Sequence, residues 1–230
     1  MERKYLTLTL IFASIAAISV IGFYSSYLSS FPDYGKFSLV IHIHFVAFLS
    51  WLAITIVQPL LIRSGNAALH RRIGNLAYVI APVMVTTMAL LVLGQTRKLV
   101  GESMNAAAIS SVIGVLDIVS FSAYFTLAMV NRRNLRWHVG FIVAATIIVL
   151  NPGMSRLFNH IKPGLGLPAA VIVPFLIPLC IIVYEKVKLN KAILRSPYAL
   201  FFVCWAVEIA ILVTVPGTEG WKGMVSWVAG

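Results

Sequence analysis

Two histidines stand at matching places in the sequence, each after a basic segment and before a long apolar one. His70 lies in Leu69-His-Arg-Arg-Ile-Gly74, and His138 lies in Arg136-Trp-His-Val-Gly140. If the apolar segments are membrane helices, both imidazoles lie at a similar depth. In an antiparallel bundle of the second to fifth helices, they also stand on diagonal helices across one core. Two neutral imidazole nitrogens that face each other across a plane are the axial ligands of a b-type haem.

This arrangement predicts that His70 and His138 bind haem b. Arginines beside the two histidines would neutralise the haem propionates: Arg71, Arg72 and Arg136. Gly74, Ala77 and Ala81 follow His70 on one helical face. Small residues there leave space for a flat cofactor, but they equally allow two helices to pack closely.

The other three histidines fall at the opposite ends of the apolar segments. Residues two apart on a helix point about 200° from each other, so His42 and His44 cannot easily share one site. The helical face of His44 continues through Phe48, Trp51, Thr55 and Gln58, whereas the face of His42 is apolar. His44 is therefore the better candidate for an inward-facing residue. With His160 it could form a second haem or metal site, although no histidine on helix 4 opposes His44. For a zinc or copper site, at most His42, His44 and His160 could cluster on the outer side.

Several further polar residues interrupt apolar segments, where an ionisable side chain is a functional hypothesis by default. They are Gln58, Asp117, Asn151, Arg156 and Glu208. Asp117 and Glu208 could line a proton or ion path, or be hydrogen-bonded structural carboxylates. Asn151-Pro-Gly153 is expected to break or kink its helix before Arg156 and to leave a polar pocket nearby.

The composition is that of a membrane protein. Hydrophobic residues make up 60% of the 230 residues, charged residues only 11%, and the mean hydropathy is +0.94. The net charge of +11 sits in short clusters between apolar runs, which argues against nucleic-acid binding. Cys180 and Cys204 lie in separate apolar runs, a pattern that does not indicate a disulfide framework.

Seven segments are long and apolar enough to cross a bilayer. They span about residues 5–28, 38–62, 72–95, 106–130, 137–158, 167–185 and 197–216. The pattern predicts an all-α bundle of seven transmembrane helices in a single domain. The segment at 167–185 contains Pro168, Pro174 and Pro178, and six helices would remain if it did not span the membrane. Trp221 and Trp227 suit an outer interfacial segment.

The distribution of lysine and arginine predicts the orientation, since cytoplasmic loops carry the excess. The side of the membrane that holds the N-terminus of the chain carries twelve of these residues: Arg3, Lys4, Arg63, Arg71, Arg72, Arg132, Arg133, Arg136, Lys186, Lys188, Lys191 and Arg195. On the other side lie Lys36, Arg97, Lys98, Arg156, Lys162 and Lys222. The imbalance predicts a cytoplasmic N-terminus and an outer C-terminus.

The part of the chain from helix 2 to helix 5 resembles a family of uncharacterised bacterial membrane proteins. The shared pattern is His-x-His near the start of one helix, Gln at its far end, and Leu-His-Arg-x-x-Gly opening the next. A later basic loop with a histidine, and then Arg-Leu, complete it. The family is similar in style to four-helix b-type cytochromes of the membrane ferric-reductase kind. The resemblance implies a haem and a location in the bacterial inner (plasma) membrane.

Three functions are consistent with these residues. The first is a haem-binding redox protein, whose partner would be a protein or a quinone. The second is a metal-dependent intramembrane enzyme, or a protein that handles zinc or copper, which would use the outer histidines. The third is a transporter or channel that would use Asp117 and Glu208. The first explains most of the polar residues.

Overall fold

The computed structural model describes the backbone of residues 2–230 and the side chains of residues 4–230, and this part of the chain contains helices but no strand. The eight α-helices are α1 (Glu2–Gly22), α2 (Leu39–Arg63), α3 (Ala67–Val100), α4 (Met104–Val130), α5 (Leu135–Ile161), α6 (Gly166–Leu189), α7 (Pro197–Thr214) and α8 (Glu219–Ala229). The first seven are long and apolar enough to cross a membrane. The prediction of an all-α multi-pass membrane bundle is thus confirmed.

Side-chain caps explain why α3, α4 and α5 begin before the predicted positions. The side chains of Asn66, Ser103 and Asn134 each accept a hydrogen bond from the backbone N–H three residues later. Such a cap satisfies one of the unpaired donors at a helix start. As a result α3 begins at Ala67 rather than near residue 72, and His70 lies in its first turn.

Prolines do not interrupt the helices that contain them. The helix α5 continues through Pro152 to Ile161, so the predicted break before Arg156 does not occur. The helix α6 likewise runs through Pro174 and Pro178 as one span. Pro174 and Pro178 are buried, and α6 packs on α5 and α7, whereas α5 packs on four helices. Membrane helices tolerate proline where such packing compensates for the lost backbone hydrogen bond.

The helix α5 lies at the centre of the bundle. It packs against α1, α4, α6 and α7, touches α2, and has 67% of its most apolar segment buried. The helices α2, α3 and α4 pack in chain order, and α1 fills the position between α2 and α5. The helices α3 and α5 do not pack directly against each other, and α2 and α4 each contact both of them.

Close backbone contact joins α1 to α5. A Cβ atom on Gly153 would lie 2.6 Å from Cα of Ser19, and one on Gly22 would collide with the backbone of Gly153. Both glycines are buried. This contact is made where α1 ends, at Gly22 rather than near residue 28.

The C-terminal helix α8 packs on the ends of α3 and α4. The indole N–H of Trp221 donates to the carbonyl of Ala108 and to Oγ of Ser111, each at 3.1 Å. Val225 is buried, whereas Trp227 is 80% exposed. Of the two tryptophans predicted at the outer interface, Trp221 is thus a docking residue, and Trp227 is left at the surface.

Candidate functional site

His70 and His138 lie at the same end of the bundle. Nδ1 of His138 is 2.8 Å from the carbonyl oxygen of Ala128 at the end of α4. A carbonyl only accepts, so Nδ1 carries the proton and the neutral ring leaves Nε2 without one. His70 lies beside the backbone carbonyl of Gln58, and its buried Nδ1 makes no hydrogen bond of good geometry within the described residues. The two rings are close enough to interact electrostatically.

Gln58 connects α2 to α3 beside this pair. Its Nε2 donates to the backbone carbonyl of His70 at 3.1 Å. The same atom would be 3.2 Å from a Cβ on Gly74, so the glycine makes room for the glutamine side chain. The Gln and Leu-His-Arg-x-x-Gly parts of the motif therefore form a contact between two helices. Ala77 and Ala81 are buried in the core farther along α3.

The three arginines named for the haem propionates do not share one environment. Arg71 and Arg72 are exposed at the start of α3. Nη2 of Arg136, by contrast, donates to Oε2 of Glu185 on α6 at 2.8 Å. Glu185 also accepts from Ser196 at 2.7 Å and from Lys191 at 3.2 Å. Arg136 is thus held by a buried carboxylate, and Arg71 and Arg72 remain as the cations available to an anionic ligand.

The two histidines of His-x-His face different neighbours. Nδ1 of His42 is 2.7 Å from the hydroxyl of Tyr27, and its ring lies among Tyr27, Tyr34 and Phe37. Nδ1 of His44 is 2.8 Å from Oγ1 of Thr87 on α3. The divergence predicted from their spacing is therefore present.

The hydroxyl of Thr87 determines the tautomer of His44. It lies 2.6 Å from the carbonyl of Val83 and 3.1 Å from that of Met84, so its hydrogen is donated to the backbone. Its oxygen then accepts from Nδ1–H of His44, which leaves Nε2 without a proton in the neutral ring. The helical face of His44 is the inward one, because Phe48, Trp51 and Thr55 are buried.

His160 is exposed in the last turn of α5. The described residues contain no group of three or more His, Cys, Asp or Glu side chains placed to hold a metal ion. Catalytic zinc generally takes three protein ligands. The structure therefore adds no support to the outer site of His42, His44 and His160.

Asp117 lies between two clefts inside the bundle. The first cleft has a cavity volume of about 40 Å³ and is lined by apolar side chains together with His44 and Asp117. The second has a cavity volume of about 50 Å³ and is lined by Asp117, Asn151 and Glu208 among apolar residues. Asp117 and Asn151 are each 6% exposed. The sequence-predicted carboxylates on α4 and α7 are thereby brought to one cavity.

Arg156 stands close to the first cleft. Its guanidinium lies 4.5 Å from the centre of the Phe23 ring, and Nη1 donates to the carbonyl of Pro152 at 3.0 Å. It is also close enough to His44 to interact electrostatically. A cation over an aromatic ring is favourable, and desolvation strengthens the contact. Arg156 thus joins α5 to α1 at the end of the bundle opposite His70.

Sequence reasoning missed Glu185 and Thr87. Glu185 is the only carboxylate of α6. It follows the apolar part of that helix, at the same end of the bundle as the basic loop 131–134. That combination could have indicated an ion pair. Thr87 gave no comparable signal, since a threonine within an apolar helix usually bonds to its own backbone.

Comparison with known proteins identifies no relatives: no protein-family model, curated protein or solved structure matches this chain. The resemblance to bacterial membrane cytochromes therefore stays a prediction.

Proposed function

We propose that the protein is a membrane haem protein in which His70 and His138 are the axial ligands of a b-type haem. One observation carries the proposal. His70 and His138 lie at the same end of the bundle, on two helices that do not pack directly on each other, and their rings are close enough to interact electrostatically. In addition, His138 is held in the tautomer that leaves its Nε2 free to bind a metal. The haem would supply one-electron oxidation and reduction.

The surrounding residues suit this ligand pair. A metal-bound histidine almost always donates its second N–H to a carbonyl, a carboxylate or water, which fixes the ring and raises its basicity. Ala128 gives His138 such a partner. His70 lies beside the backbone carbonyl of Gln58, which would serve its ring in the same way.

The same geometry assigns roles to the neighbouring residues. Gln58 holds the first turn of α3 in place through the carbonyl of His70. The exposed cations Arg71 and Arg72 would face the haem propionates, whereas Arg136 would not, because Glu185 holds it. With the predicted orientation the haem would lie toward the cytoplasm of the inner membrane. Its electron partner would be a soluble protein on that side or a quinone in the bilayer.

The test is a visible spectrum of the protein purified in mild detergent, oxidised and then reduced with dithionite, beside its total metal content. We expect a Soret band that shifts on reduction. His70→Ala and His138→Ala should each abolish or strongly alter the band, because each removes one axial ligand. His160→Ala, which changes an exposed histidine, is the matched control and should leave the spectrum unchanged.

Other outcomes would overturn the proposal. A colourless protein with stoichiometric zinc or copper would transfer attention to the outer histidines. A colourless protein without metal, purified after expression with added haem precursor, would exclude both. A haem band that survives both His70→Ala and His138→Ala would place the cofactor elsewhere.

A further inference from the structure

The second cleft is an apolar cavity with a polar wall. Helices α4, α5, α6 and α7 surround it, and the polar wall consists of Asp117, Asn151 and Glu208. The remaining lining is aliphatic apart from Trp205. The indole N–H of Trp205 donates to the carbonyl of Val171 at 3.0 Å, so this ring presents only its apolar surface to a ligand.

The polar wall has acceptors left over and almost no donors. Nδ2 of Asn151 donates to Oδ1 of Asp117 at 3.4 Å, and Oγ of Ser120 donates to Oε1 of Glu208 at 2.6 Å. Oδ1 of Asn151 is buried and has no hydrogen-bond partner among the described residues. A buried acceptor without a partner is destabilising, because it has lost its hydrogen bonds to water. The cleft therefore lacks a hydrogen-bond donor that a ligand could provide.

The polar wall also brings together two carboxyl groups that have no ion-pair partner among the described residues. The ion pairs of the described residues involve Glu185 and Glu219, and none involves Asp117 or Glu208. Asp117 and Glu208 are close enough to interact with each other electrostatically. Two neighbouring carboxylates within a membrane helix bundle require a cation or protons.

The cleft suits an organic cation better than a metal ion. An ion such as Ca²⁺ takes six to eight oxygen ligands, whereas three residues supply the polar atoms here and the rest of the wall is apolar. A primary ammonium group has three N–H donors. That number equals the number of residues offering oxygens, and the aliphatic side chains of the lining suit an apolar body.

We propose that this cleft is a binding site for a primary ammonium compound with an apolar body, held by Asp117, Asn151 and Glu208. The ammonium donates to the two carboxylates and to Oδ1 of Asn151, and the apolar body packs on Trp205 and the aliphatic side chains. The cleft is not enclosed by the protein, and Leu167, which also lines it, is 42% exposed. A lipophilic amine can therefore reach the cleft from the bilayer. This site is separate from His70 and His138, so its test does not depend on haem.

The experiment measures binding of hexylammonium chloride to the purified full-length protein by isothermal titration calorimetry in detergent at constant ionic strength. 1-Hexanol has the same apolar body without charge, hexyltrimethylammonium keeps the charge without N–H donors, and sodium chloride tests an inorganic cation. We expect saturable binding of hexylammonium that is at least about tenfold tighter than that of either organic comparator, because only the ammonium makes charge-assisted hydrogen bonds.

Two variants test the two halves of the cleft. Glu208→Gln should weaken hexylammonium binding at least about tenfold, since it removes one charged acceptor. Ala170→Leu should weaken it by filling the apolar part, which keeps the proposal testable if Glu208→Gln does not fold. Glu219→Gln, which removes an exposed carboxylate of α8, is the matched control and should bind as the parent does.

The proposal would be overturned by equal binding of hexanol, by unchanged affinity in both Glu208→Gln and Ala170→Leu, or by full displacement of hexylammonium by sodium at equal concentration. Equal binding of hexyltrimethylammonium would also overturn it, because the three N–H donors would then have no role.

Discussion

Replacing Gly153 by alanine is expected to lower the apparent unfolding temperature in detergent by about 5–10 °C. The new Cβ would lie 2.6 Å from Cα and 2.9 Å from the carbonyl oxygen of Ser19, both of them backbone atoms of α1. Since backbone cannot move aside as a side chain can, α1 must shift away from α5. The hydrophobic effect does not drive two helices together inside a membrane, because the lipid is as apolar as their side chains. Membrane helices therefore associate through such close packing.

The matched control for this substitution is Gly94→Ala. Gly94 is also within a membrane helix, but a Cβ there would meet no atom within 4 Å. The control should be neutral or slightly stabilising, because alanine is favoured over glycine in a helix by about 1 kcal/mol. Thermal unfolding of the three proteins, followed by tryptophan fluorescence, is the measurement. Equal stability of Gly153→Ala and the parent would show that α1 does not pack on α5 in this way.

Replacing Glu185 by glutamine is expected to destabilise the protein by about 2–3 kcal/mol. Glu185 is 8% exposed and accepts from Arg136, Lys191 and Ser196. The substitution leaves the Arg136 guanidinium beside an uncharged amide. The loss should fall below that of a fully buried ion pair, because the side chains of Arg136 and Lys191 are 30% and 40% exposed, so water solvates part of their charge.

The double variant Arg136→Met/Glu185→Leu separates the ion pair from its parts. It should recover part of the lost stability, since no unpaired buried charge remains. Glu219→Gln serves as the control, because Glu219 has a 92% exposed side chain and its pairing with Lys222 at 3.7 Å contributes little. A Glu185→Gln protein as stable as Glu219→Gln would contradict the prediction.

The arrangement around Arg136 also shows why sequence reasoning did not find its ion-pair partner, Glu185. Arg136 stands two residues before His138, in a basic segment, and that proximity suggested a propionate partner. Glu185 is 49 residues farther along the chain and reaches Arg136 only because α5 and α6 pack side by side. Which carboxylate a basic side chain pairs with depends on such packing.

The sequence by itself determined the class of the protein and most of its helices. Long apolar segments have no alternative to burial in a bilayer, and an α-helix satisfies its own backbone there. The helical period also separated His42 from His44 correctly and identified the inward face of α2. These results follow from local geometry, which any helix of this sequence shares.

Only the tertiary structure decided which polar residues meet. Asp117, Asn151 and Glu208 lie on three helices, and their shared cleft arises because α5 lies at the centre with α4 and α7 packed against it. Gln58 and Gly74 form one contact because α2 and α3 pack side by side. Which helices pack together in a membrane depends on how closely their surfaces fit over many residues. The fit between two helices cannot be predicted from the residue spacing within one of them.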